Sequence, residues 1–151
     1  MILTEEVTIR PMQLTDLEQV FKIEFKTHVA PWTWGILRDC ILVGYACFVM
    51  TYENKVIAYL IARIAANECH ILNICVKPEE QRKGLGEKLM YFILDLAKTS
   101  CDRILLEVRH SNQPAIHLYE KLGFKSLSVR KDYYPVGEGR EDAIVLQYDL
   151  K

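Results

Sequence analysis

The chain has 151 residues, 50% hydrophobic and 26% charged, an ordinary balance for a soluble protein with a sizeable core. That length predicts one domain, spanning 1–151. Lysine and arginine total 19 against 20 acidic residues, a net charge of −1 that argues against general nucleic-acid binding and leaves only a local basic cluster at Gln81, Arg82, Lys83 and Lys88.

The start carries Glu5 and Glu6 and lacks a basic segment followed by an apolar run, so no secretory signal is expected. Residues 7–10 alternate up to Pro11 and predict a first strand. Thr15 and Asp16 offer a helix cap. Leu17, Val20, Phe21 and Phe25 then repeat at helical spacing. Residues 28–34, with Pro31, Trp32 and Trp34, read as a loop or broken helix, and 35–42 as a short second helix. The most apolar stretch, 41–50, is too short to span a bilayer and contains Gly44. Strands follow at 45–52, 56–64 and 69–76, separated by turns at Glu53-Asn54 and Ala66-Asn67, as in an antiparallel meander.

The pattern then changes. Strand to Val76, helix from Leu85 to about Thr99, and strand 104–108 form a βαβ unit, whose two strands must be parallel. Ser111, Asn112 and Pro114 mark a helix start and Gly123 its stop. Strands at 125–133 and 143–150 close the chain, joined by a loop with Pro135, Gly137 and Gly139. The expected fold is α/β: a mixed sheet, antiparallel first, with a central parallel unit flanked by helices.

Five cysteines at 40, 47, 69, 75 and 101 form no Cys-x-x-Cys pair and predict reduced, buried thiols in a cytoplasmic protein. Neither they nor His28, His70, His110 and His117 have metal-ligand spacing, so no metal is expected. Gly139-Arg140-Glu141-Asp142 reads as a turn of solvated charges.

The junction Gln81-Arg82-Lys83-Gly84-Leu85-Gly86 lies between a strand and a helix. Glycines there allow close backbone approach, and the helix start offers free N–H groups and a positive dipole end. A pyrophosphate fits that combination, although glycines alone also make a plain helix-entry turn. A Walker loop is excluded, because the four-residue spacer and the hydroxyl residue after the lysine are missing. Ligands of such sheets bind outside the carboxyl ends of the parallel strands, so the segments after Val76 and Val108 share one edge.

These residues resemble the GNAT-fold N-acetyltransferases, whose Gln/Arg-x-x-Gly-x-Gly/Ala motif is matched by Gln81 to Gly86. Within that group the chain looks most like the bacterial ribosomal-protein alanine N-acetyltransferases (RimI type). The resemblance is carried by Leu72-Asn73-Ile74-Cys75-Val76, Leu106-Glu107-Val108-Arg109 with Ser111-Asn112, Leu118-Tyr119-Glu120-Lys121-Leu122-Gly123-Phe124, and Tyr133-Tyr134-Pro135 with Gly139-Arg140-Glu141-Asp142-Ala143.

The resemblance implies acetyl-CoA as co-substrate. Backbone groups of Ile74, Cys75 and Val76 would pair with its pantetheine arm. Those of Arg82, Lys83, Gly84, Leu85, Gly86 and Glu87, with Gln81, would hold its pyrophosphate, and Asn112 would contact the arm or simply cap its helix. The Glu87 carboxylate is expected to face solvent. Glu107 is implied as base and Tyr119 as acid. Trp32, Tyr133 and Tyr134 would be core or a lid over the acceptor peptide.

An α-amino group titrates near 7.7–8.0 and a lysine near 10.4, so neutralising lysine costs about 3.5 kcal/mol more and the chemistry favours an N-terminal amine. The resemblance names the N-terminal alanine of a small-subunit ribosomal protein. Lysines, polyamines and small amines stay open as acceptors, as does a non-catalytic acetyl-CoA-binding module. No direct nucleic-acid or membrane partner is expected, and the chain is expected to be a monomer or weak dimer.

Overall fold

The computed structural model describes residues 6–151, and the reading at Glu5 lies outside them. Among the described residues, seven strands and four α-helices follow one another. The strands are β1 (Thr8–Pro11), β2 (Ala46–Tyr52), β3 (Lys55–Ala65), β4 (Glu68–Val76), β5 (Arg103–Arg109), β6 (Lys125–Val136) and β7 (Gly139–Asp149). The helices are α1 (Leu17–Thr27), α2 (Trp34–Leu42), α3 (Leu85–Ala97) and α4 (Gln113–Lys121). They build one seven-stranded sheet in the order β1-β2-β3-β4-β5-β7-β6. Every neighbouring pair is antiparallel except β4 and β5, which α3 connects in parallel.

Helices cover both faces. On α3, Leu85, Leu89, Met90, Ile93 and Ala97 recur at helical spacing and pack with Tyr119 of α4 against Ile104, Leu106 and Val108 of β5. On the opposite face, Leu17, Val20 and Ile23 of α1 and Leu37 of α2 pack on Val49, Tyr59 and Ile61. With both faces covered, central β3 buries every residue from Val56 to Ala62 and reads as a continuous apolar run.

One irregularity shapes the ligand edge. Between β3 and β4, Ile61 faces Asn73 while the next residue, Ala62, faces Ile71, so Leu72 is an extra residue in the ladder. Such a bulge bends its strand and increases its twist. It also exchanges faces: Cys69 and Ile71 point into the α3–α4 core, whereas Cys75 packs in the α1–α2 core. Pairing between β4 and β5 runs from Glu68↔Arg103 to Ile71↔Leu106 and stops there. Beyond that point β4 stays paired with β3 up to Val76, and β5 with β7 up to Arg109. The sheet therefore opens as a V, with free backbone on the facing edges of both arms.

Three local expectations change. The last two strands extend much further, to Val136 and from Gly139, and the expected loop shrinks to a tight turn at Gly137, whose φ is +56°. The run 139–142 is thus the start of β7, and its charges are engaged. Asp16 does not cap α1 with its side chain; its Oδ2 accepts from the Gln13 N–H at 2.7 Å, and both its oxygens bind Arg10 at 2.8 Å.

Candidate active site

The V holds a cleft of about 420 Å³. Ile74 lines one arm, Glu107 the other, and Asn112 and Tyr119 the α4 side; Trp32, Tyr133 and Tyr134 also face it. Seven residues expected from sequence are thereby brought together from five separate segments.

β5 places Glu107 by alternation. Ile104, Leu106 and Val108 point into the α3–α4 core, so Glu107 points to the other face. Its side chain is only 11% exposed, yet it is well partnered: His70 Nε2 lies 3.0 Å from Oε2 and Arg130 3.7 Å from Oε1. The His70 contact is the main reason the carboxyl is held below its ordinary value, with burial working in the opposite direction. Glu107 is therefore a stable carboxylate. Tyr119 is buried, and that burial pushes its hydroxyl up to about 12, with Cys75 adding to the effect. It is a hydroxyl that stays protonated and donates.

The wall above Glu107 comes from a distortion in β6. The ladder with β7 is irregular between Arg130 and Tyr134, and Asp132 adopts a left-handed φ of +50°. Asp142 holds this segment, accepting from the Asp132 N–H at 3.0 Å and pairing with Lys131 at 3.2 Å. Tyr133 and Tyr134 then meet edge to face at 4.9 Å, with Arg130 stacked on the first ring and Arg109 on the second. Glu141 ties this wall to the start of α4 by bonding Arg109 and the Ser111 hydroxyl.

Glycine and helix chemistry meet beyond the cleft, where the side chains from Gln81 to Lys83 are exposed. Arg82 and Gly84 both have left-handed φ, +64° and +80°. The first bond of α3 runs from the Lys88 N–H to the Gly84 carbonyl at 3.1 Å. The N–H groups of Leu85, Gly86 and Glu87 precede it and have no acceptor within the helix. Gln81 reaches back to the Val76 carbonyl at 3.0 Å, which fastens the loop to the end of β4. A pantetheine diphosphate fits this track: the edge of β4 that β5 leaves unpaired past Ile71 leads to a helix start of free donors. Asn112 caps α4, its Oδ1 accepting from the Ala115 N–H at 3.3 Å, while it also faces the cleft.

Glu87 lies in an exposed surface contact. Its side chain is 28% exposed and pairs with the exposed Lys121 of α4 at 3.3 Å. That pairing turns the carboxylate toward a neighbouring helix and neutralises it. The Cys75 side chain lies in the α1–α2 core, its thiol pushed up to about 11 by burial, and neither Cys75 nor Val76 lines the cleft.

Sequence reasoning missed two groups. His70 was one of four histidines without ligand spacing, and its partner lies 37 residues away. Glu24 is 1% exposed on α1 and lines the cleft floor. Its oxygens accept from Tyr59 Oη at 2.5 Å, Asn73 Nδ2 at 2.7 Å and the Trp32 N–H at 2.9 Å. His28 Nε2 lies 3.4 Å away without hydrogen-bond alignment. An acidic residue on the buried side of an amphipathic helix was the available signal. Among the described residues no cluster of histidine, cysteine and acidic side chains could hold a metal, and no helix is long and apolar enough to cross a membrane.

The model of the Acetyltransferase (GNAT) family matches residues 9–124. The chain is 39% identical over 140 residues to the ribosomal protein bS18–alanine N-acetyltransferase of Escherichia coli K12, covering 92% of this chain and 95% of that one. The protein of the same name from Haemophilus influenzae is 34% identical, with 91% and 95% covered. The crystal structure of the Escherichia coli enzyme superimposes with a TM-score of 0.90 at 36% identity, covering 95% of this chain and 94% of that one.

Proposed function

The chain belongs to the acetyltransferase (GNAT) family, and from that premise we propose that it transfers the acetyl group of acetyl-CoA to the N-terminal α-amino group of a protein, the alanine of ribosomal protein bS18. The observation that carries this reading is the V between β4 and β5, with Glu107 and Tyr119 both facing its cleft.

Acetyl-CoA supplies a thioester whose carbonyl an amine can attack directly. The free edge of β4 orients the pantetheine arm by backbone hydrogen bonds, and the α3 start holds the pyrophosphate. Glu107 attracts the acceptor's ammonium and serves, with water, as the basic side of the site. Tyr119 donates a hydrogen bond to the departing sulfur. With the hydroxyl near 12 and a model thiol near 8.5, complete proton transfer is uphill by about 5 kcal/mol, so donation rather than transfer is its role. Trp32, Tyr133 and Tyr134 enclose the first residue of the acceptor. An N-terminal amine, already partly neutral at pH 7.5, suits a base this weak better than lysine does.

The test offers acetyl-CoA with two peptides: the bS18 N-terminal sequence, and the same sequence blocked at its N-terminus but carrying an internal lysine. Thiol release and mass spectrometry should show acetylation of the first alone. Modification of the lysine peptide at a comparable rate would replace the acceptor assignment. Absence of thiol release with normal acetyl-CoA binding would leave a binding module.

A further inference from the structure

We propose that His70 is the group on which the acceptor's proton comes to rest, with Glu107 orienting its ring and balancing its charge. The inference rests on the acetyl-transfer reading above and deepens it.

His70 pairs in register with Leu105, and its ring reaches Glu107 two residues further along β5, with Nε2 3.0 Å from Oε2. A carboxylate can only accept there, so Nε2 carries the hydrogen and Nδ1 is left as the basic nitrogen. The His70 side chain is 23% exposed, which gives water access to the ring, while Glu107 opens onto the cleft. This is a carboxylate–imidazole dyad at the edge of the acceptor site.

The surrounding charges come from every neighbouring strand. Arg63 of β3 lies opposite His70 in register. Glu68 of β4 and Arg103 of β5 pair with each other two residues back. From β6, Arg130 sits on the second oxygen of Glu107, and Tyr134 is close to the same carboxylate. Arg63 and Arg130 add positive charge around the dyad, the Glu68–Arg103 pair is self-neutralised, and Glu107 supplies the negative charge at hydrogen-bond distance from the ring.

The chemistry selects the imidazole. An α-ammonium titrates near 7.7–8.0 and an ordinary imidazole near 6.5, whereas Glu107 is held on the acidic side of its usual range. A general base works best near the operating pH. In the step, an ammonium N–H bond breaks and the proton passes through water to Nδ1. The freed nitrogen lone pair forms the C–N bond. The C–S bond breaks with its electron pair on sulfur, hydrogen-bonded by Tyr119, and a second N–H proton passes from the acylated nitrogen through water to that sulfur, leaving a neutral amide and a free thiol. The imidazolium, paired with a carboxylate that stays ionised, later returns its proton to solvent.

The experiment is the pH profile of kcat/KM with the N-terminal alanine peptide for wild type, His70→Gln and His70→Ala. Glutamine can still donate to Glu107 but cannot take up a proton. Wild type should show an acid limb in addition to the acceptor's own titration. Both variants should lose that limb and fall at least about 10-fold at pH 7.5, with acetyl-CoA affinity within about twofold showing that they are folded. A glutamine variant that keeps the rate and the limb would reduce His70 to a support for Glu107 and overturn the proposal. So would a wild-type His70 ring that does not titrate between pH 5 and 8 by nitrogen NMR. A wild type that releases no thiol overturns both readings, whereas an active wild type with an unaffected glutamine variant overturns only this one.

Discussion

Glu107 links stability to pH. Its folded value is lowered, chiefly by the hydrogen bond from His70, so the unfolded chain binds the proton more readily. The stabilisation is fully present above the ordinary carboxylate value near 4.5 and is lost as pH falls through the lower folded value. Glu107→Gln removes this dependence. Thermal unfolding of variant and wild type should therefore differ at pH 7 and converge as pH falls through the lowered folded value of Glu107. In turnover, the same variant should lose about 10²-fold in kcat with little change in acetyl-CoA affinity.

The two glycines of the motif have different work. Gly84 has a left-handed φ of +80°, so Gly84→Ala should cost about 1–2 kcal/mol and weaken acetyl-CoA binding by distorting the loop. At Gly86, an added Cβ would meet Val76 at 3.8 Å and Leu118 at 3.9 Å, both ordinary contacts. That side faces β4 and α4 and has room for a methyl group, so packing does not demand glycine there. Gly86→Ala should leave the melting temperature unchanged or slightly raised. Gly86→Val should lower it by overpacking, which separates the two roles in a pair of melts with matched binding titrations.

At the scale of elements, the sequence shows most of what makes a strand or helix and little of what bends one. The βαβ unit was legible because strong periodicities flank the glycine run. Strands 125–136 and 139–149 were underestimated because β6 is exposed at the sheet edge, so its charges mimic a loop. The bulge at Leu72 has no local signature; it brings Asn73 and Cys75 to the α1 side. Asn73 does so to bond Glu24, a partner 49 residues away that no spacing rule connects to it. Glu107 and Tyr119 were legible only through family resemblance, Glu24 only as an acidic residue on the buried side of α1, and His70 not at all.

Glu24 joins α1, β3, β4 and the segment bearing Trp32. Glu24→Ala would leave the Tyr59 hydroxyl, the Asn73 amide and the Trp32 N–H without their acceptor, at about 1–3 kcal/mol for each group that stays buried and unsatisfied. Because Trp32 lines the cleft, its seat controls the acceptor side. The variant should show a lowered urea midpoint and a rise in peptide KM larger than the rise in acetyl-CoA KM. Equal rises would place Glu24 in the scaffold alone.

Across the whole molecule, the two arms of the V are asymmetrically supported. β4 is anchored to the β1–β3 meander, β5 to the β6–β7 hairpin, and the arms share only the four residue pairs from Glu68↔Arg103 to Ile71↔Leu106. Past Ile71, the edge of β4 toward β5 carries amides that the sheet leaves unpaired, as does the first turn of α3. A ligand that bonds these groups supplies missing ladder partners and also stabilises the fold by mass action, about 2.7 kcal/mol at a hundredfold excess over Kd. The two effects separate in native-state hydrogen exchange. Mass action slows only those amides that exchange through global unfolding, such as those of buried β3. Direct bonding slows amides that otherwise open locally. Saturating acetyl-CoA should therefore protect residues 72–76 and 84–87 by more than the global increment, and β3 by that increment alone. Uniform protection would mean that the arm does not pair with β4, and the V would then be only a cavity beside the binding site.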